Sequence, residues 1–426
     1  MMKRQSTSIS AMCCGAAIAF MACVGAAAAP GGGSVTFTKD ILPILQENCM
    51  VCHRPGGANL GGMIAPMSFT TYAQTRPWAK AIARAVSTRR MPPWAASEIH
   101  AGVFMGERVL TEGEIASIVS WVEGGARRGN PSDAPPPLDF PDTGGWTIGE
   151  PDIVITMPEP FFVPDDLLDD TKYFPMVLSE ELMPEDRWIK ASEFRPGSVA
   201  VHHIILSPVG GIAPGNAPSV YRDGYSAKLR KGQKVIWNMH YHKESGPGTG
   251  VWDQSSVGVK FYPKGYTPEH VLTVVPLGPM DFAIPAGDPN YSAEAWHTFP
   301  KDALINSMMP HMHYRGKEVK YELFYPDGTQ ELMLSVPRYN FNWQTSYRFI
   351  EPKAVPAGTR LRLTGWWDNS ADNPYNPDPS VTVTWGEATH EEMLFGWLSY
   401  TNVDEDATAN SGIRRRRSES ESESDE

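Results

Sequence analysis

Between about residue 146 and residue 404 the apolar residues come in short runs broken by turn chemistry, with no long stripe at helical spacing. The runs Asp152–Ile155, Val199–Leu206, Lys234–His242, Val257–Tyr262, Val271–Val275, Val319–Phe324, Arg360–Gly365, Val381–Trp385 and Met393–Tyr400 are of strand length and rich in β-branched and aromatic residues. Pro326-Asp327-Gly328 separates Val319–Phe324 from Gln330–Val336 and predicts a hairpin turn. So many strands in one stretch predict two antiparallel β-sandwiches, over 146–275 and 276–405.

The pattern before residue 130 is different. Ile41, Leu42, Ile44 and Leu45 lie on a predicted helix over Thr38–Asn48. Thr111 and Glu114 form a capping box, Ile115, Ile118, Val119 and Val122 follow at helical spacing, and Gly124-Gly125 stops the helix. A small all-α unit over 30–130 is therefore expected, joined to the β region by a Pro- and Gly-rich linker over 131–145.

Length and charge narrow the function classes. A chain of 426 residues holds several domains. A net charge of −12 excludes the basic surface that a nucleic-acid binder needs. Lys3 and Arg4, then an apolar stretch ending in small residues before Pro30, predict a secretory signal over 1–29 and an exported, periplasmic or extracellular protein. An uncleaved anchor and a lipid on Cys23 are the alternatives; no later segment is apolar enough for a stable membrane span. From 406 to 426 the chain turns into arginines followed by alternating serine and acid, a disordered tail.

Of the five cysteines, Cys13, Cys14 and Cys23 leave with the signal, and the two that remain lie in Cys49-Met50-Val51-Cys52-His53. This is the spacing for covalent haem attachment, with His53 as an axial iron ligand. A redox dithiol would want a βαβ setting and a zinc site would want further ligands; neither context is present. Met91, in Arg90-Met91-Pro92-Pro93-Trp94, is the candidate second axial ligand, with Met63, Met67 and Met105 as alternatives. This region resembles the class I monohaem c-type cytochromes, which implies one haem c.

The eleven histidines are unevenly placed: His202-His203, His240-Tyr241-His242 and His311-Met312-His313 fall in or beside strands. Residues two apart on a strand face the same way, so His-x-His presents two imidazoles to one ion. Adjacent histidines do so only where a strand ends or twists. His100, His270, His297 and His390 stand outside such pairs and read as structural.

Four segments then occur in order: Val201-His202-His203-Ile204, Asn238-Met239-His240-Tyr241-His242, His311-Met312-His313-Tyr314-Arg315-Gly316-Lys317 and Glu391-Glu392-Met393. Together they resemble the copper type II ascorbate-dependent monooxygenases, the family of peptidylglycine α-hydroxylating monooxygenase and dopamine β-hydroxylase. The resemblance implies two jelly-roll-like sandwiches holding two copper ions across an open cleft. One ion would be bound by His202, His203 and His240, with His242 as the alternative third ligand. The other would be bound by His311, His313 and Met393 and would carry the reaction with O2. Tyr314 and Arg315 lie beside that second set, with a substrate role left open. The disulfides of the animal enzymes have no counterpart in the mature chain, and the cytochrome-like region is an addition that suggests electrons arriving through haem at the three-histidine copper.

The resemblance implies that the chain is a copper-dependent monooxygenase that hydroxylates a C–H bond. Its partners would be O2, a small organic or peptide substrate, and an electron donor that is either an ascorbate-like reductant or a redox protein. The alternative is an exported electron-transfer or copper-binding protein without hydroxylase activity. Structural zinc is disfavoured by the thioether of Met393.

Overall fold

Alternation along Lys234–His242 sends Val235, Trp237, Met239 and Tyr241 into one core, and this strand is paired along both of its edges. The computed structural model describes residues 34–57, 60, 63, 65–140 and 145–403. The signal segment and the tail lie outside the described residues, as do parts of the linker.

In the first β half, Asp169–Val177, Lys234–His242, Val201–Leu206 and Gly210–Ile212 form an antiparallel sheet in that order. A second sheet runs Ile153–Thr156, Ser256–Phe261, Arg187–Arg195 and Ser219–Val220, with Lys228–Leu229 also paired to Arg187–Arg195. Both sheets feed one core, including Ile155, Ile189, Ile204, Trp237 and Val259. In the second half, Thr273–Leu277, Leu394–Asn402, Ala303–Met312 and Tyr347–Val355 form one sheet. Tyr291–Thr298, Arg360–Trp367, Gly316–Phe324 and Gln330–Val336 form the other, and Ile305, Met308, Tyr321, Leu363 and Leu398 share the core between them. The expected hairpin is present: Gly328 N–H donates to the Tyr325 carbonyl, and Gly328 takes the positive φ that the turn requires.

Asp169–Val177 and Tyr291–Thr298 are strands that the sequence does not announce. Both are edge strands with mixed polar and apolar faces, and the first carries Pro175. An edge needs only one ladder partner, so it tolerates residues that a central strand excludes.

Before residue 130, Leu42–Asn48, Ala79–Ser87 and Glu112–Glu123 pack on a third core of Phe37, Leu45, Ile82, Ile118 and Trp121. The capping box of Thr111 and Glu114 forms as the sequence indicates. The fully buried residues of that helix are Ile118 and Trp121, while Ile115 and Val122 pack at its margin. None of the described helices is long and apolar enough to cross a membrane.

Residues 94–105 leave the helical core and join the second β half. Ala96 and Phe104 are buried in its core, Ser97 N–H donates to Ser335 O at 2.8 Å, and Ser335 N–H returns a bond to His100 Nε2 at 2.9 Å. Burial pulls the His100 imidazole below its ordinary range, so the fold favours the neutral ring that accepts this bond. That contribution is complete above the unfolded pKa of about 6.5 and is lost as acid protonates the ring. His100→Ala is expected to orphan the Ser335 N–H and cost about 1–3 kcal/mol at pH 8, with a smaller difference at pH 5. Unfolding curves of both proteins at the two pH values check this; equal differences would refute it.

Candidate metal centre

Strict alternation would send His202 and His203 to opposite faces of their strand. The register prevents this: His240 pairs with His203, and the next residue, Tyr241, pairs with Val201, so His202 is the extra residue of a β-bulge. The bulge brings His202, His203 and His240 together, with their candidate ligand atoms all within 4.8 Å of one another. His240 Nδ1 lies 3.2 Å from His203 Nδ1, and its Nε2 lies 2.6 Å from Asp169 Oδ1. Asp169 thus fixes the ring so that Nδ1 faces the cluster, as carboxylates behind ligating histidines do. Burial alone would raise the Asp169 carboxyl, but His240 together with the Thr389 hydroxyl and N–H holds it at about 2. His242 stands outside this group: Tyr314 Oη is 2.9 Å from its Nε2.

The second set follows the simple rule. Along Ala303–Met312, Met308 and Met312 enter the core, while Ser307, Met309, His311 and, just past the strand, His313 line the opposite face. His311 Nδ1 is 2.6 Å from Gln344 Oε1, which leaves its Nε2 available. Met393, buried at the start of Leu394–Asn402, lines the same cavity as His311 and His313.

Glu391-Glu392-Met393 is also a brace. The Glu392 carboxylate accepts from the backbone of His313 at 3.1 Å, Arg315 at 2.6 Å and Met393 at 3.3 Å, and from Trp367 Nε1 at 2.9 Å. Burial pushes this carboxyl up to about 7 against those bonds. The question left open for Arg315 is decided by packing. Its guanidinium is buried and donates to Asn369 Oδ1 and to the carbonyls of His390 and Asp378, so it holds the loop and has no free face for a substrate.

The two histidine sets are not separated by an open cleft. The His203 and His311 rings lie 5.6 Å apart, centre to centre. Phe341 stacks on His202 at 4.2 Å and stands edge-on to His313 at 6.3 Å, and the Asp169–Thr389 bonds tie the two halves together beside it. Asp169, Thr389, Phe341 and Gln344 carried no signal in the sequence, since each reaches the site only through tertiary packing.

Burial holds the imidazoles of His202, His203 and His313 well below their ordinary range and that of His311 at about 4. All four are neutral at pH 7, the form that binds metals. Both ring nitrogens of His202 and Nδ1 of His313 are buried without a hydrogen-bond partner. An orphaned buried polar atom costs about 1–3 kcal/mol, and a metal ion would satisfy it. The donor set therefore fits copper, with imidazoles throughout and a thioether beside the second pair.

The segment Cys49–His53 follows Leu42–Asn48 directly, and the backbone N–H of His53 donates to Cys49 O at 2.9 Å, so the two cysteines sit about one turn apart. Neither Cys49 nor Cys52 forms a disulfide. Burial pushes the Cys49 thiol up to about 12 and raises that of Cys52 as well. His53 Nδ1 is 3.2 Å from the Met67 carbonyl, which would leave Nε2 as the atom to hold a haem iron. These residues fit a covalent haem. Met91 lies at the surface, 43% exposed, and Met105 lines the cavity beside the histidines. The loop after the motif touches the metal centre's support: Gly215 N–H donates to Leu60 O at 2.9 Å, and Gln344 N–H donates to Pro214 O at 2.6 Å.

No protein-family model and no curated protein matches the chain. Among solved structures it is similar to that of the infectious bursal disease virus Gx strain, with 8% identity over 59% of this chain and 73% of that one, at a TM-score of 0.20. It is also similar to the major capsid protein P2 of bacteriophage PM2, with 8% identity over 57% of this chain and 97% of that one, at a TM-score of 0.21. Scores this low carry no argument about this chain.

Proposed function

We propose that the chain is an exported copper-dependent monooxygenase of the copper type II, ascorbate-dependent kind. On this reading its helical region is a c-type cytochrome carrying one haem, and its two β halves are the jelly-roll-like domains that hold two coppers. The observation that carries the reading is the buried set of neutral imidazoles, three of whose nitrogens lack any hydrogen-bond partner. The net reaction converts R–H, O2, two electrons and two protons to R–OH and water. An ascorbate-like reductant or a redox protein supplies the electrons. When bound, copper supplies one-electron chemistry toward O2, and haem supplies a one-electron store.

The chain's own residues prepare this chemistry. Asp169 and Gln344 set the ring orientations of His240 and His311, and Met393 offers the soft donor that favours Cu(I). Glu392 fixes the backbone that carries His313 and Met393. Beside the histidines lies a cavity of about 960 Å³, which a plain electron-transfer or copper-storage protein does not need.

The test uses mature protein made with haem attachment and loaded with copper. Haem reduced in advance is expected to be reoxidised by O2 only when copper is present, and at least about tenfold more slowly in Met393→Leu, a rise of roughly 1.4 kcal/mol in the barrier. Absence of retained copper, or reoxidation that ignores both copper and Met393, would overturn the reading.

A further inference from the structure

Alternation along Leu394–Asn402 sends Leu394, Leu398 and Tyr400 into the core of the second half and Phe395, Trp397 and Ser399 to the other face. That face meets the outer face of the sheet containing Val201–Leu206 and Lys234–His242, where Ile205 and Asn238 stand. The space between them is the cavity of about 960 Å³, with His203, His311, His313 and Met393 in its wall. Sheet faces left facing a cavity with this much aromatic and aliphatic surface are built to hold a ligand.

The charged side chains of the wall are already bonded to other protein groups. Arg222 donates to the carbonyls of Phe349 and Ile350 and lies 3.6 Å from Glu351. Arg348 is occupied by Val220 O and Ser219 Oγ. Lys228 lies 3.5 Å from Asp186, and Glu387 accepts from Tyr173 Oη at 2.9 Å. Among the described residues these are the four formally charged ones that line the cavity. An ionised ligand would lose its hydration and meet only side chains that already bond within the protein. Those side-chain bonds to Ile350 and Val220, with the Met105 N–H donating to the Arg348 carbonyl, gather the three residues into an apolar rim in which each is 45% exposed or more.

We propose that this cavity takes a bulky, uncharged, apolar molecule and that such a molecule is the substrate. Neutral hydroxyls at Thr171, Ser307 and Ser399 accommodate an occasional polar group on it. A peptide held by its free carboxylate is disfavoured, because the arginines and the lysine of the wall are already bonded to protein groups. The word substrate rests on the monooxygenase reading; the ligand class rests on the cavity alone.

Equilibrium dialysis of the full mature protein with two dyes of one skeleton tests the class: neutral N-phenyl-1-naphthylamine and its anionic relative 8-anilino-1-naphthalenesulfonate. The neutral dye is expected to bind about one per chain and at least tenfold more tightly than the sulfonate. Phe395→Asp in the wall and Val220→Asp at the rim are each expected to weaken the neutral dye fivefold or more. The Val220 substitution is at a surface position, so the test stands even if the other variant folds poorly. Equal binding of both dyes, or neutral-dye binding indifferent to Val220→Asp, would overturn the ligand class. Copper is measured on the same samples. Tight neutral-dye binding without copper supports the ligand class and rejects the monooxygenase, whereas retained copper without dye binding rejects this inference alone.

Discussion

Mature protein carrying His203→Ala is expected to retain at least one copper ion fewer per chain than the parent after dialysis. His203 stands between the two sets, 3.2 Å from His240 through its Nδ1 and 5.6 Å, ring to ring, from His311, so its loss opens the three-histidine group at its centre. Asp169→Asn, which leaves every ligand in place, is expected to weaken that copper by about 10–100-fold, the usual penalty for removing a partner behind a ligating histidine. The metal-free protein should respond in the opposite sense at His202. Both nitrogens of that ring are buried without partners, so His202→Leu is expected to raise the stability of the copper-free chain by about 1–3 kcal/mol while abolishing the site. Elemental analysis and denaturant unfolding of the same preparations check all three. Copper retention unchanged in His203→Ala, or a copper-free protein destabilised by His202→Leu, would count against a metal centre here.

The second large effect is one of stability. Glu392→Ala is expected to lower the unfolding free energy by several kcal/mol, because it strands the N–H groups of His313, Arg315 and Met393 and the Trp367 indole in a buried setting. Total stabilities of about 5–15 kcal/mol leave little margin for such a loss. Glu392→Gln keeps the volume and one acceptor oxygen, and misdirects an amide only toward Arg315. Its expected loss is therefore smaller, about 1–3 kcal/mol. Urea unfolding that ranks parent, Gln and Ala in this order supports the brace; an Ala variant as stable as the parent refutes it.

The histidine pairs were visible because they occur in strands whose alternation is strong. In Lys234–His242 and Gln330–Val336 the predicted and observed strands coincide, since turn residues close both ends. His311 and His313 obey alternation and could be assigned to one face from sequence alone. His202 could not, because its direction depends on a bulge set by pairing with a strand more than thirty residues away. The run Val381–Trp385 shows the reverse case: only Val383–Thr384 is strand, paired briefly with Ala283–Ile284.

By itself, then, the sequence determined the local quantities: a β-rich chain after residue 146, a capped helix over Glu112–Glu123, the spacing of Cys49, Cys52 and His53, and histidines in pairs. These depend on periodicity and on neighbours within a few residues. Tertiary structure alone decided the rest. It drew residues 94–105 into the core of the second β half and set Asp169 behind His240. It also engaged Arg315 with Asn369 and His390 and brought His203 beside His311. Each of these is a contact between segments far apart in the chain, and it is specified by which sheet faces are left to meet once every core has closed.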